Sequence, residues 1–380
     1  MIHSLIAFLL ATIMALALVP APQTQKKSPP QAEKAECGTV MPPEQIKAEL
    51  DRAAELTGKN TTGLALAPNT DDPLYLPLTI HMVRDDEGIG GQSSEQLEAA
   101  MQNLNQLWRP FGIQFFIYGE IDYSIQDRDF YILPNVDANQ DALRQINSVP
   151  NTINVYFTNL QGNITGQARF TKDTAQGLLL DYTAMSGQGS GYYRLEVFAH
   201  EMGHYFDLYH THETGGGIEC PSGSNCDTAG DLICDTPADP KLDQPGFVDA
   251  LTCTYTNLAA TPAGCTGVYN PPVRNLMSYS ICSNEFTPGQ INKVWQVLTS
   301  NSKRKNLITS GKFYVDPAAS NSNTNCTSSA PCRTVAKAVQ AAQDGAFIFL
   351  RARVHSASSI SGKAVTIKRW GTEGIVTIRP

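Results

Sequence analysis

Runs of apolar residues with different periods divide the chain. Residues Leu5 to Val19 are almost unbroken apolar, short for a bilayer span, with Ala15 and Ala17 offering a small-residue cleavage site and Pro20 and Pro22 close behind. Only His3 precedes the run, where a Lys or Arg is customary. The expectation is a signal peptide over residues 1–21. From Ala21 to Ala35 the composition turns to Pro, Gln and Lys, an extended linker with no core of its own. A short helix is predicted over Pro43 to Leu56 and turns over Asn60 to Pro73, so residues 22–73 read as a pro-segment and linker.

Beyond it, Leu74 to Val83 alternates apolar and polar residues like a strand, and Ser94 to Trp108 repeats apolar residues at helical spacing behind a Ser cap. Gly112 to Tyr118, Thr152 to Thr158 and the shorter Leu178 to Asp181 read as buried strands, and Leu195 to Tyr205 as a second helix. A strand, a helix, three further strands and a second helix in that order suit an α/β layer with a mixed sheet. Gly215 to Asn275 has no clear period and is rich in Gly, Pro, Cys, Asp and Thr, so it needs disulfides or ions to hold a shape. From Phe313 the character changes again. A helix is predicted over Thr334 to Gln343 and short strands over Ala346 to Leu350, Ala364 to Lys368 and Ile375 to Ile378.

Composition narrows the class. The 380 residues exceed what one compact core usually holds, and 42% hydrophobic with 17% charged residues excludes wholesale disorder. A net charge of -8 without a basic run excludes a nucleic-acid partner. No later segment is long and apolar enough to span a membrane, so after signal cleavage the protein is expected outside the cell and free of the bilayer. Nine cysteines suit that location: Cys37 alone upstream, six between 220 and 282, then Cys326 and Cys332. Six cysteines allow fifteen pairings, and an odd total leaves one thiol over.

Candidate chemistry is concentrated in His200-Glu201-Met202-Gly203-His204, with His210 six residues on. Positions i and i+4 share a helix face, so the two imidazoles can meet one ion with Glu201 beside them. His210 can join only if the helix breaks after His204 and the chain turns back. Three protein ligands then leave one coordination position open, the arrangement of a catalytic zinc whose water is acidified and whose proton Glu201 takes. His81 and His355, isolated in sequence, are expected to be hydrogen-bonded structural residues.

The stretch HEMGHYFDLYH resembles the elongated zinc motif of the metzincin metalloproteases, H-E-x-x-H-x-x-G-x-x-H, with Asp207 in place of the family glycine. Asp and Asn visit left-handed backbone more readily than other non-glycine residues. Asn275-Leu276-Met277-Ser278-Tyr279 resembles the Met-turn of that clan. The resemblance implies an apolar floor at Met277 beneath the histidines and a Tyr279 that stabilises the developing oxyanion. Gly230-Asp231-Leu232-Ile233-Cys234-Asp235-Thr236-Pro237 and Phe286-Thr287-Pro288-Gly289-Gln290 resemble segments of the pappalysin family, over about His81 to Leu307 in all. That likeness implies calcium at Asp231 and Thr236, with Asp235 as a further ligand. It also implies disulfides Cys226–Cys253, Cys265–Cys282 and Cys220–Cys234. Glu36-Cys37-Gly38-Thr39 is similar to the pro-segment Cys-Gly-Thr of some pappalysin-like enzymes, which implies a cysteine switch whose thiolate fills the open zinc position.

The expected architecture is therefore an α/β metzincin domain over residues 74–309, with a mixed twisted sheet, two main helices and a loop-rich, disulfide-bonded lower part. Residues 310–380 resemble the opening of a right-handed parallel β-helix, either part of a longer solenoid or coils docked on the catalytic domain. The expected function is a secreted zinc endopeptidase made as a latent zymogen, acting on protein or peptide substrates laid along an edge strand over Thr165 to Thr171. Glycan contact is expected through the C-terminal segment. The rival is a secreted glycan- or surface-binding protein whose metalloprotease-like domain is inactive.

Overall fold

The sheet that carries the site is built on β2 (Leu74–Met82), where strict alternation sends Leu76, Leu78, Ile80 and Met82 to one face and Thr79 and His81 to the other. This computed structural model describes residues 36–39, 46, 73–185, 194–356, 363–370 and 374–379. The expected signal peptide, and the helix expected over 43–56 apart from Ile46, lie outside the described residues. With β1 (Glu36–Cys37), β3 (Ile113–Ile117), β4 (Ile132–Leu133), β5 (Ile153–Leu160), β6 (Ile164–Ala168) and β7 (Leu178–Asp181), β2 forms a seven-stranded sheet. Its order is β1-β6-β7-β5-β2-β3, with β4 beside β5. β2, β3, β5 and β7 run parallel, β6 is antiparallel to β7, and β1 is parallel to β6. The mixed sheet expected from the element order is found.

Helix α1 (Ser94–Trp108) begins at a capping box in which Ser93 accepts from the Gln96 N–H and Gln96 returns the bond to the Ser93 N–H. Its apolar stripe, Leu97, Ala100, Met101, Leu104 and Trp108, packs on the β2 face together with α2 (Glu196–Tyr205). Trp108 closes this core against Phe115, Phe206 and Phe286. Each such fully buried large apolar side chain contributes about 1.5–3 kcal/mol. On the opposite face, His81 contacts Asp122 at 2.9 Å and Asn154 at 3.1 Å and stacks on Tyr156, a core histidine as expected. A third long helix, α3 (Pro288–Ser300), has no counterpart among the periodic segments read from the sequence. Thr287 and Gln290 give it a second capping box.

The loop-rich stretch is held by disulfides, and none of the three pairings implied by family resemblance is present. The bonds are Cys220–Cys265, Cys226–Cys234 and Cys253–Cys282. Pairing follows which Cα atoms the loops bring within about 4.4–6.8 Å, and here the chain from Cys226 to Cys234 is a tight turn whose ends meet at 4.9 Å. A small ribbon, β8 (Val248–Asp249) with β9 (Thr254–Tyr255), lies in the same region.

In the tail, β10 (Lys312–Val315), β11 (Phe347–Arg351) and β13 (Thr366–Trp370) form one parallel sheet, and β12 (Val354–Ser356) pairs parallel with β14 (Thr377–Arg379). Helix α4 (Val335–Ala341) packs Val335, Ala338 and Val339 onto Val315, Ile348 and Leu350, beside a disulfide between Cys326 and Cys332. His355 is buried and contacts the Arg351 carbonyl at 2.8 Å. The tail docks on the β3 edge: Phe347 stacks on Phe116 at 4.4 Å and meets Tyr75 edge-on. Among the described residues, no helix is long and apolar enough to cross a membrane.

Candidate metal centre and active site

Helix α2 places His200 and His204 one turn apart on a buried face, with Nε2 atoms 3.0 Å from each other. The helix ends at once: Phe206 closes onto the Met202 and Gly203 carbonyls, and Asp207 takes the left-handed conformation at φ 63°. The Asp207 carboxylate accepts the Thr171 N–H at 2.8 Å and the Thr171 hydroxyl at 2.6 Å. These bonds offset the strain of a non-glycine residue there. The reversed chain returns His210, whose Nε2 lies 3.0 Å from that of His204 and 3.3 Å from that of His200.

The tautomers follow from the partners. Nδ1 of His200 faces the Leu276 carbonyl at 2.5 Å and Nδ1 of His204 faces the Leu208 carbonyl at 2.7 Å, so both must donate there. Burial lowers the pKa of His200 to about 4 and pushes His204 and His210 well below the usual imidazole range. Neutral rings with protonated Nδ1 direct bare Nε2 lone pairs at one another across 3.0 Å. Such a pair repels unless a cation lies between. Bonds of about 2.0–2.1 Å at tetrahedral angles set neighbouring nitrogens about 3.3 Å apart, so the donor set fits a zinc-sized ion.

Beneath the rings, Met277 is fully buried. A Cβ on Gly203 would stand 2.5 Å from its sulfur, so the glycine of the H-E-x-x-H motif is what lets the methionine approach. Asn275 fixes the turn, accepting the Met277 N–H at 2.8 Å and exchanging two side-chain bonds with Gln290 of the α3 cap. Asp239 links the segment after His210 to the Met277 turn, accepting from the hydroxyls of Thr211 and Ser278, each at 2.6 Å. Nothing in the spacing of the sequence pointed to Asp239.

Residues 36–39 cross this centre. Cys37 Sγ and the three histidine nitrogens all lie within 4.8 Å of one another. The Tyr279 hydroxyl donates to the Cys37 carbonyl at 3.2 Å and accepts its N–H at 3.3 Å, and its ring packs 4.8 Å from that of His210. Burial, and then the neighbouring Glu201 carboxylate, push the Cys37 thiol upward. A nearby cation would reverse that pressure. Glu201 itself is fully buried and raised to about 7 by burial, against the hydrogen bonds it receives. One of these comes from the Thr39 hydroxyl at 3.0 Å. Gly166 on β6 leaves the room for this, since a Cβ there would lie 2.6 Å from Glu201 Cγ. Thr39 and Gly166 were not singled out as site residues in the sequence.

Comparison with known proteins agrees with this constellation. Residues 151–299 match the model of peptidase family M43, described as pregnancy-associated plasma protein-A. Residues 151–299, which carry the site, are thus similar to the pappalysin family of metzincins. An extracellular metalloprotease of Podospora anserina is 26% identical over 323 residues, 76% of this chain and 98% of the relative. Extracellular metalloprotease 1 of Coccidioides posadasii is 26% identical over 281 residues, 69% and 88% of the two chains. A mutant of promirolysin from Tannerella forsythia, 19% identical, superimposes with a TM-score of 0.50 over 71% of this chain and 96% of that one, a likeness of fold.

The residues implied as calcium ligands divide. Asp231 is buried and both its oxygens meet the Thr236 hydroxyl, at 3.0 and 2.9 Å. Burial raises Asp231 to about 8, and Glu219, close enough to add to that shift, is itself raised to about 7 by burial. Asp235 is engaged elsewhere, accepting from the Thr287 hydroxyl and the Gly289 N–H at the start of α3, each at 2.7 Å. Glu219 is the acidic neighbour the motif did not include. Beside the histidines a cleft of about 720 Å³ opens, lined by His212, Lys241, Phe247, Tyr269 and Tyr279 among others.

Proposed function

We propose that this metalloendopeptidase is a secreted zinc enzyme held latent by its own leader. The convergence of three neutral imidazole nitrogens beside a buried carboxylate carries the reading. His200, His204 and His210 would hold zinc, which when bound supplies a Lewis acid that acidifies a water and polarises a scissile carbonyl. Glu201, a buried carboxylate on the helix that carries His200 and His204, is suited to take a proton from the attacking water and deliver it to the leaving amine. The Tyr279 hydroxyl, now bonded to Cys37, is suited to donate to the developing oxyanion once the leader leaves. Met277 keeps the floor of the site rigid and dry.

Latency follows from what residues 36–39 occupy. Cys37 would be the fourth ligand, Thr39 caps Glu201, and β1 fills the edge of β6, the lane in which an extended peptide would pair. The observed edge strand, Ile164–Ala168, overlaps the expected Thr165 to Thr171. Secretion is supported by the apolar run from Leu5 to Val19, by four disulfides and by relatives named extracellular.

Asp231 and Thr236, joined by Glu219, offer hard oxygen ligands suited to calcium. Asp235 serves α3 instead. For the tail we retain a β-helix-like opening with glycan contact as its role, which a carbohydrate array probed with the full chain would read. The deciding experiment for the enzyme is Glu201→Gln. Zinc content should stay at one per chain while hydrolysis of a denatured protein falls at least 10²-fold. Zinc retained with no Glu201-dependent cleavage, in wild type whose Cys37 has been lifted from the site by an organomercurial, would favour an inactive binding protein.

A further inference from the structure

The geometry points to Gln167 as a substrate-binding residue, held in position by Arg144, whose side-chain amide donates to a backbone carbonyl of the peptide lying along β6. The inference rests on the peptidase reading and adds a contact to it.

Gln167 sits on the edge strand and is buried. The orientation of its amide is settled by Arg144, a residue with donors only: Arg144 Nη2 gives a 2.6 Å bond to Gln167 Oε1. The NH2 group therefore faces outward, where it donates to the Gly38 carbonyl at 2.9 Å. Arg144 is itself fully buried and fixed by Asp141 at 3.2 Å and by the carbonyls of Gly177 and Gln167 at 3.3 Å. A buried guanidinium so anchored gives the amide one setting. That setting persists when the leader departs, because none of the bonds to Arg144 comes from residues 36–39.

The contact made with the leader is generic in chemistry. Gly38 contributes no side chain; it is recognised by its carbonyl through Gln167 and by its N–H through the Gly166 carbonyl at 2.8 Å. Any extended peptide placed on this edge brings carbonyls into the same lane. Gln167 thus supplies a donor, beyond those of the strand itself, that is blind to sequence and selective for extended backbone. It lies on β6 next to Gly166, the residue packed against Glu201, so the carbonyl it holds belongs to a residue near the scissile bond.

The test is Gln167→Glu in the full chain. The change keeps the size and the acceptor for Arg144 and exchanges the donor for a charged acceptor; Gln167→Met removes the donor without adding charge, at the cost of the Arg144 acceptor. Cys37 is the free thiol among the described residues, so an organomercurial would lift it and its bulk would keep residues 36–39 from returning. With melting temperature unchanged, KM for an extended peptide should rise about five- to tenfold while kcat stays within twofold, the mark of a lost ground-state hydrogen bond. Labelling of Cys37 by a chromogenic disulfide in the untreated chain should accelerate by a similar factor. Faster labelling with an unchanged KM would overturn the inference, confining Gln167 to the leader, and so would no change in either. A wild-type chain that takes up zinc and, after the organomercurial has lifted Cys37, cuts nothing would bring down the peptidase reading and this one together, whereas an unmoved KM in an active enzyme removes Gln167 alone.

Discussion

Asp207 stands where the metzincin motif has glycine, and restoring glycine should destabilise this protein. At φ 63°, Asp207→Gly would relieve left-handed strain of about 1–2 kcal/mol. It would also delete a carboxylate that accepts the Thr171 N–H and hydroxyl at 2.8 and 2.6 Å in a buried setting. Hydrogen bonds to a charged acceptor contribute about 1.5–3 kcal/mol each, and the abandoned Thr171 N–H adds desolvation. The loss of the two bonds exceeds the relief by about 1–5 kcal/mol. Asp207→Asn keeps one acceptor and tolerates the backbone, so it should fall between; Asp207→Ala loses the bonds and keeps the strain, so it should be worst. Denaturant unfolding with disulfides intact, in chelator and again in zinc, should rank the variants Asp, Asn, Gly, Ala. The zinc series tests whether the turn also positions His210, because weaker binding adds less stabilisation. A glycine variant as stable as the wild type would refute the reasoning, since it would mean that the Thr171 bonds contribute nothing net.

Other consequences are open to direct measurement. Cys37→Ala should raise peptidase activity of the full chain at least tenfold in a fluorogenic peptide assay, with zinc content unchanged; equal activity would remove the thiol from latency. Gly203→Ala would drive a methyl to within 2.5 Å of Met277 sulfur, and despite the better helix propensity of alanine the net effect on unfolding free energy should be a loss of about 1–2 kcal/mol. Lys312 is buried, its ammonium donating to the Ile308 carbonyl, and burial lowers its pKa to about 7. Between pH 7 and 10 the unfolded chain therefore binds more protons than the native one, so stability should rise with pH across that window. Lys312→Met should flatten that rise in unfolding titrations. Replacing Cys226 and Cys234 by alanine opens a loop spanning a separation of 8 residues, for which chain entropy gives a loss of about 2.5 kcal/mol, read by the same titrations.

What was legible in the sequence, and what was not, follows from how far each feature reaches along the chain. β2 and α1 announce themselves because each carries its whole period within its own residues, and the Ser93 cap is local to its helix. His200, Glu201 and His204 are legible for the same reason: the helix supplies the geometry. His210 needs a turn whose cause, the pairing of Asp207 with Thr171, lies 36 residues upstream; the motif identified the ligand and not what holds it. The disulfides show the limit, since their partners are chosen by loops without period and family likeness misassigned every pair. α3 is harder to read although Thr287 and Gln290 spell a capping box, because its buried stripe rests on only Ile291, Val294 and Leu298 beside the polar Gln290. Asp239, Glu219, Thr39 and Gln167 have a common character: each acts on residues distant in sequence, with no repeat or spacing to mark it. A metal site therefore has a sequence signature where one helix builds it and none where separate strands, turns and leader close around it. In this protein the Thr39 hydroxyl on Glu201 and the Gln167 amide on Gly38, to which we assign latency and substrate binding, belong to the second kind.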